Sequence, residues 1–176
     1  AMSIVADEVI DLHRQLVPYG YDEINVNLGC PSGTVVSKKR GSGILAYPDM
    51  LDSFLDELYT KADFPVSIKT RVGFNDDELW PRLIEIYSKY PISELTVHPR
   101  VQKDFYKNTP RMDDFALAMQ KINPDKTTLC YNGDITDTNS FNALTDCFPD
   151  IDEIMIGRGL FANPALIAEL KGISMD

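Results

Sequence analysis

Apolar positions along this chain follow two periods in alternation. Over residues 4–19 they recur at steps of four, three and four, which predicts an amphipathic helix. These positions are Val5, Val9, Leu12 and Leu16. Residues 23–28 then alternate as a short strand does, and Pro31 lacks the N–H that would extend a strand ladder. The first predicted unit is therefore a helix that leads into a strand.

The same order of helix and strand repeats along the rest of the 176 residues. Further strands are predicted at residues 65–71, 94–98, 127–131 and 152–156. Further helices are predicted at residues 48–61, 76–90, 113–122 and 138–147, and from about residue 164. Strands that alternate with helices of this length form βα units around a parallel sheet. We therefore expect one α/β domain with about five parallel strands.

Polar and glycine residues gather where the predicted strands end. These segments are residues 27–31, 69–73, 97–100, 131–134 and 156–159. Ligands of parallel α/β folds bind at the carboxyl ends of the strands, so the five segments predict a single site. Periodicity does not decide between an open doubly wound sheet and a barrel. No GxGxxG follows any strand, which argues against a Rossmann nicotinamide site.

The formal net charge is −10, which by itself argues against a surface that binds nucleic acid. The sequence has no apolar run of about 18 residues and no charged-then-apolar leader. We therefore expect a cytoplasmic protein without a membrane segment. Ala1 and Met2 resemble a tag remnant and a start methionine, and the fold prediction leaves them out.

Three cysteines are present, at positions 30, 130 and 147, and they form no CxxC pair. Neither a disulfide framework nor a metal site is predicted from this odd number. Cys30 lies between a strand and a glycine-rich stretch, so it is either a small buried residue or a reactive thiol. Cys130 lies within a strand and Cys147 on an apolar helix face, and we predict both to be core residues.

Lys69 and His98 are two further candidates near strand ends. Lys69 alternates within a strand that is predicted to be buried, where an ammonium needs a partner unless it reaches solvent. His98 ends the next strand and is either a structural histidine or a hydrogen-bond donor to a ligand. The sequence alone does not decide the role of either residue.

Two later segments suit a ligand that carries a phosphate. Asn132, Gly133 and Asp134 form either a simple turn or part of a binding loop. Residues 157–159 read Gly-Arg-Gly after the last strand, and glycine amides beside an arginine suit a phosphate. In barrels the loops after the last two strands commonly hold this group.

Two loops of the predicted site are basic in an otherwise acidic chain. Their positive residues are Lys38, Lys39, Arg40, Arg100, Lys103, Lys107 and Arg111. They are either a solvated surface or a local patch that admits a polyanion. Phe105 and Tyr106 lie within the second run and could either stack on a base or pack on the surface.

Five segments carry a family resemblance in sequence order. They read NLGCPSGTVVSKKRGSGIL (27–45), SIKTRVGF (67–74), LTVHPR (95–100), YNGDI (131–135) and IMIGRGLFANP (154–164). Their order and spacing resemble the tRNA-dihydrouridine synthases. The resemblance implies a partial TIM (β/α)8 barrel, in which residues 3–176 form the C-terminal portion, roughly strands four to eight. The N-terminal strands and the C-terminal helical tRNA-binding domain of that family are expected to be absent.

The resemblance also implies the chemistry. Members of this family reduce the C5=C6 bond of uridine in tRNA with FMN as cofactor and NADPH as reductant. Cys30 would be the general acid that protonates C5. The FMN contacts would be Lys69 and His98 at the ring, Asn132, Gly133 and Asp134 at the ribityl and phosphate side, and Gly157 and Arg158 at the phosphate. The tRNA contacts would be Lys38, Lys39, Arg40, Arg100 and Lys103.

Departures from the family pattern lead to three further expectations. A barrel without its first strands would expose its edges and an apolar interior, so we expect self-association, as a homodimer that covers them. We expect FMN binding to be weak or absent and the chain alone to be inactive. The stretch 99–110 also differs from the commoner His-x-Arg-Thr form of the family, which leaves the tRNA specificity open.

Rival interpretations remain at this stage. Another FMN-dependent barrel oxidoreductase, of the dihydroorotate dehydrogenase or ene-reductase kind, would explain residues 157–159 but not residues 29–31 together with 98–100. A truncated, non-catalytic fragment is a second alternative. An RNA-binding module is a third, and the net charge of −10 disfavours it.

Overall fold

Five parallel strands form one sheet in the computed structural model, which describes residues 1–173. The strands are β1 (Ile24–Leu28), β2 (Val66–Gly73), β3 (Glu94–Val101), β4 (Thr128–Tyr131) and β5 (Glu153–Ile154). Each strand pairs with the next one along the chain. A doubly wound sheet would reverse its order at a switch point, whereas sequential order is how a (β/α)8 barrel winds. The predicted α/β class and partial barrel are confirmed.

Helices connect and flank the strands. They are α1 (Ala6–Leu16), α2 (Gly33–Val36), α3 (Pro48–Lys61), α4 (Trp80–Tyr87), α5 (Met112–Lys121), α6 (Thr138–Cys147), α7 (Arg158–Ala162) and α8 (Leu166–Leu170). Short 3₁₀ segments lie at Val17–Tyr19, Gly41–Ala46 and Gln102–Asp104. No helix within residues 1–173 is long and apolar enough to span a bilayer. Residues 174–176, the end of the predicted domain, lie outside the described residues.

One face of the sheet is apolar and contributes to the hydrophobic core. Val26, Ile68, Leu95 and Leu129 lie side by side in register across the first four strands. Each of them is at most 4% exposed. Full burial of an aliphatic side chain of this size stabilises a fold by about 1.5–3 kcal/mol, so this row anchors the strands against the helices.

The opposite face of the sheet is polar. Asn27, Lys69, Thr96, Cys130 and Glu153 are the register partners on the five strands, one position along from the apolar row. Side chains alternate between the two faces of a strand, so this row shares a face. The expectation of an exposed apolar interior is wrong, because these interior positions carry amides, hydroxyls and charges. Self-association remains a prediction, but it loses this part of its physical basis.

Ion pairs fix the segment between β3 and α5. Arg111 pairs with the buried Asp104 and also with Asp77, at 3.1 Å from its Nε. Asp114, in the first turn of α5, accepts a hydrogen bond from the Trp80 indole N–H on its main-chain oxygen at 2.8 Å. Burial, followed by the charge and hydrogen bond of Asp77, raises the pKa of the Asp114 carboxyl to about 7. The Asp114 carboxyl is therefore partly protonated near neutral pH.

Replacing Asp114 with asparagine is expected to flatten the pH dependence of stability. The folded state binds the Asp114 proton more tightly than the unfolded chain does, so the free energy of unfolding falls as pH rises from about 4 to about 7. Asparagine cannot ionise, and the loss should disappear. Urea unfolding between pH 4 and pH 8 measures this change. The exposed neighbour Asp113, replaced with asparagine, is the control, and identical slopes in all three proteins would contradict the assignment.

Candidate active site at the carboxyl ends of the strands

A cleft of about 470 Å³ opens at the carboxyl ends of the strands. Its lining includes all of the predicted catalytic and cofactor residues: Cys30, Lys69, His98, Asn132, Gly133, Asp134, Gly157 and Arg158. These residues come from five different strand ends spread over about 130 positions of sequence. The parallel sheet brings them together because all of its strands end on the same side.

The backbone of Cys30 is held from one side by the 3₁₀ segment that follows α2. The Ser42 amide and hydroxyl both donate to the Cys30 carbonyl oxygen, at 3.0 and 2.9 Å. Gly41 precedes this serine with φ of +55°, and a Cβ there would lie 2.7 Å from the Cys30 oxygen and 2.9 Å from its Cβ. Only glycine fits this approach. The glycine-rich run 41–43 was the sequence signal for this close approach, although the prediction named neither Gly41 nor Ser42.

Arg71 is the main residue of the cleft that the prediction missed. Its side chain is buried, and its three nitrogens donate to the main-chain oxygens of Gly29 (3.0 Å), Val101 (2.9 Å) and Phe105 (2.7 Å). No described carboxylate pairs with it, and burial lowers its pKa. Arg71 lies two positions after Lys69, so the period of the strand could have identified it. It places a buried positive charge beside the Cys30 loop.

Lys69 lies on the polar face of β2 and is partly buried. Burial and then the neighbouring Arg71 charge lower the pKa of its ammonium to about 8, with a smaller opposite effect from Cys130. Among residues 1–173 its ammonium makes no hydrogen bond or ion pair. An anionic or carbonyl-bearing ligand in the cleft would supply the missing partner.

His98 is buried and neutral. Burial, then the charges of Arg71 and Lys69, lower the pKa of its imidazole to about 3. Its Nε2 lies 3.1 Å from Nη1 of Arg100, and because a guanidinium only donates, Nε2 must accept. The ring proton is therefore on Nδ1, and His98 can act as a neutral donor.

Arg100 occupies a different place from the predicted one. Its side chain is only 1% exposed and donates to the Asp134 carboxylate and to the main-chain oxygens of Lys107 and Asn108. The prediction that Arg100 faces RNA is wrong, because every nitrogen of its guanidinium has a partner inside the protein. It instead positions Asp134 and the loop after β3.

Asp134 links the buried Arg100 to the exposed Arg158. The Arg158 guanidinium donates to Asp134 Oδ1 at 2.5 Å, and the hydrogen bond from Arg100 is the main cause that lowers the pKa of the Asp134 carboxyl. Nearby, the Asn132 amide donates to the Met155 main-chain oxygen at 2.9 Å, and within residues 1–173 no donor forms a hydrogen bond with its own side-chain oxygen. A Cβ built on Gly157 would have nothing within 4 Å. The arrangement offers cationic and amide groups around one end of the cleft.

Comparison with known proteins decides which family uses this cleft. The family model described as "Dihydrouridine synthase (Dus)" matches residues 7–175. The chain belongs to the dihydrouridine synthase family. It is 34% identical over 154 residues to a "Probable tRNA-dihydrouridine synthase" of Staphylococcus aureus (strain N315), covering 85% of this chain and 46% of that protein. The family assignment made from the five sequence segments is confirmed.

Two further relatives support the assignment to the dihydrouridine synthase family. The chain is 30% identical over 165 residues to tRNA-dihydrouridine synthase B of Escherichia coli (strain K12), covering 93% of this chain and 50% of that protein. It is 29% identical over 168 residues to tRNA-dihydrouridine synthase B of Pasteurella multocida (strain Pm70), covering 95% and 49% respectively. The chain thus spans about half the length of the curated relatives it matches.

The other basic residues predicted to meet RNA lie outside the lining of the cleft. Lys38, Lys39 and Lys103 are exposed, and the Lys39 ammonium lies 4.5 Å from the centre of the Tyr47 ring. Arg40 is partly buried and pairs with Glu8 at 3.1 Å, so part of its charge is neutralised. Lys38, Lys39 and Lys103 are therefore the exposed positive charges among these four residues.

The two remaining cysteines differ from each other. Cys130 is buried, as predicted, and burial raises the pKa of its thiol to about 12. Cys147 is exposed, so its prediction as a core residue is wrong. It is the last residue of α6, and the buried residue of that helix is Leu144, one turn earlier. The buried face of α6 therefore ends at Leu144 and does not include Cys147.

Proposed function

We propose that this chain carries the catalytic half of a tRNA-dihydrouridine synthase, which reduces the C5=C6 bond of a uridine with FMN as cofactor and NADPH as reductant. The observation that carries the proposal is the convergence of Cys30 and the predicted cofactor residues in one cleft of a chain from this family. With tRNA as the substrate, we propose the cytoplasm as the compartment of this activity. The whole activity needs the parts that the longer relatives contain, so each measurement of binding or activity below uses this chain joined to those parts.

The residues of the cleft fit FMN in their chemistry. A flavin presents carbonyl oxygens and ring nitrogens on a flat ring, and a phosphate at the end of its chain. The Lys69 ammonium, the neutral His98 and the free Asn132 oxygen would hold the ring and the ribityl chain. Arg158, with the open backbone at Gly157, would hold the phosphate. When bound, FMN would supply the hydride for C6, and NADPH would restore it.

Cys30 would supply the proton that C5 requires. The role needs a thiol, which donates its proton as the hydride arrives, rather than a thiolate nucleophile. The two hydrogen bonds from Ser42 to the Cys30 carbonyl oxygen hold the backbone from which this thiol extends. Arg71 holds the preceding residue, Gly29, through its carbonyl oxygen. The chain therefore fixes the acid from both sides before the substrate binds, which lowers the entropy lost in the reaction.

The exposed lysines would guide the RNA to this cleft. Lys38, Lys39 and Lys103 lie on loops that follow β1 and β3, the strands that also deliver Cys30 and His98. Each lysine that contacts a phosphate releases a counterion, so their contribution should weaken as salt rises. Local positive charge of this kind can act despite the net charge of −10.

Replacing Lys69 with methionine is expected to weaken FMN binding by about 10- to 100-fold, because a charge-assisted hydrogen bond contributes about 1.5–3 kcal/mol. Methionine has nearly the length of lysine and removes only the buried charge, so the fold should persist. FMN fluorescence quenching measures the affinity. The exposed Lys126, replaced with methionine, is the matched control. Equal FMN affinity in the Lys69 variant and the control would count against this cofactor assignment.

A further inference from the structure

Three consecutive main-chain oxygens, at residues 29–31, are each held by a side chain from another segment. The first two accept hydrogen bonds from Arg71 and Ser42. The third, the Pro31 oxygen, accepts one from the side-chain amide of Gln102 at 2.9 Å, across a separation of 71 residues. A general-acid role for the thiol between them does not by itself explain this third contact.

The backbone of Gln102 is held in place. Gln102 begins the 3₁₀ segment Gln102–Asp104, directly after β3. The buried Asp104 carboxylate accepts hydrogen bonds from the Val101 amide at 3.1 Å and from the Asn108 side chain at 2.7 Å. The Gln102 side chain is itself partly buried. The donor therefore starts from an ordered backbone, which lowers the entropy lost when it holds Pro31.

The chain leaves the site directly after Pro31 and returns at Gly41. Residues 32–40 in between contain α2, and the amides that hydrogen-bond there do so to oxygens of the same nine-residue stretch, 32–40. Arg40 pairs with Glu8 of α1, but their side chains are 37% and 51% exposed, so this ion pair holds the stretch only weakly. Residues 32–40 are thus joined to the site mainly at their two ends.

Each end of this stretch has its own hydrogen bond. Ser42 holds the end at which the chain returns, through the Cys30 oxygen. Gln102 holds the end at which the chain leaves, through the Pro31 oxygen. The ring of Pro31 fixes its φ angle, so a hold on its carbonyl group is passed back to the peptide unit of Cys30. A movement of residues 32–40 therefore reaches the thiol only if the contact of Gln102 gives way.

We propose that Gln102 is a positioning residue for the Cys30 thiol, because it separates the acid from movement of residues 32–40. Within residues 1–173 the lining of the cleft does not include Gln102, so it acts through the Cys30 loop and not by contact with flavin or uridine. The exposed Lys38 and Lys39 belong to residues 32–40, so RNA that binds them would pull on this stretch. This inference rests on the proposed function.

The test measures the single-turnover rate constant of uridine reduction by the FMN-loaded protein at saturating tRNA. Gln102→Met keeps the length of the side chain and removes the donor, so the rate constant should fall by about 3- to 10-fold, the effect of one neutral hydrogen bond. Gln102→Lys keeps a donor and should regain most of this loss. The exposed Gln120 of α5, replaced with methionine, is the matched control and should react at the unchanged rate.

Hydrogen exchange of the Ser42 amide gives a second readout that does not depend on the reaction. This buried amide donates to the Cys30 oxygen at 3.0 Å. Loss of the Gln102 contact should let the loop open more often, so the amide should exchange about 3- to 10-fold faster in Gln102→Met. The affinities for FMN and tRNA should stay within about 2-fold, because Gln102 contacts neither ligand.

The other outcomes overturn the inference for different reasons. An unchanged rate constant in Gln102→Met would mean that the contact does not position the acid. A lower yield at an unchanged rate constant would mean that the substitution only reduces the folded fraction. A lysine variant as slow as the methionine variant would assign the effect to something other than the hydrogen bond. If the unchanged protein forms no dihydrouridine, the proposed function fails and the positioning role with it, even where Ser42 exchange shows that Gln102 holds the loop.

Discussion

Replacing Cys30 with alanine is expected to lower the rate of uridine reduction by about 100-fold or more, the usual contribution of a general acid. The cleft offers no other thiol, since Cys130 is buried within β4 and Cys147 lies on the surface at the end of α6. FMN affinity and tRNA affinity should remain unchanged, because the thiol contributes no charge to either. Single-turnover formation of dihydrouridine measures the rate of this step.

The exposed Cys147, replaced with alanine, is the matched control for the loss of a thiol. It should react at the rate of the unchanged protein. Uridine reduction by the Cys30 variant at that same rate would exclude the thiol as the proton donor. A loss of FMN binding in the Cys30 variant would instead assign Cys30 a structural role in the cleft.

Replacing Gly41 with alanine is expected to have the second-largest effect, on activity and on stability together. The new Cβ would meet the Cys30 oxygen at 2.7 Å, Cys30 Cβ at 2.9 Å and a Val35 methyl carbon at 2.9 Å, and φ is +55°. Backbone strain of about 1–2 kcal/mol and overpacking of about 1–3 kcal/mol should add. The Cys30 backbone must also move, so uridine reduction should fall even in the molecules that fold.

Gly20 provides the matched control for this variant. It has φ of +84°, but nothing lies within 4 Å of a Cβ built on it. Its alanine variant should lose only the strain, about 1–2 kcal/mol, and keep its activity. Urea unfolding and the single-turnover rate together separate the two variants. Equal rates in both would show that the contact of Gly41 with Cys30 does not matter for the reaction.

Much of the fold could be predicted from the sequence because the periods of its helices and strands are regular. The helix at Pro48–Lys61 and the helix at Thr138–Cys147 have the predicted bounds. The helix predicted at residues 76–90 is shorter, at Trp80–Tyr87. A Cβ at Gly73 would lie 1.9 Å from the Asp76 carbonyl oxygen, so the chain turns tightly over residues 73–76 before the helix begins. Pro81 then lies in the first turn of the helix, where proline is favoured. Periodicity alone does not report such contacts.

The candidate site could be predicted because parallel strands end together, so five short segments identified one cleft. The contacts that act across the sequence could not. Arg100 was assigned to RNA because it follows His98 in a basic run, yet its carboxylate partner, Asp134, lies 34 residues later. The strand period could have placed Arg71 in the cleft, but not its acceptors, which include Gly29 and Phe105 in the loops after β1 and β3. Pairings of this range depend on the fold.

The most direct test of the central claim is an anaerobic reaction with unmodified tRNA, for which this chain is joined to the parts that its longer relatives contain, loaded with FMN and reduced with NADPH. The proposed site predicts that the flavin is reoxidised and that one dihydrouridine forms for each flavin, seen as the mass of two added hydrogen atoms. A reduced flavin that tRNA leaves unchanged, but that orotate or a simple enone reoxidises, would contradict the claim and assign the cleft to another oxidoreductase.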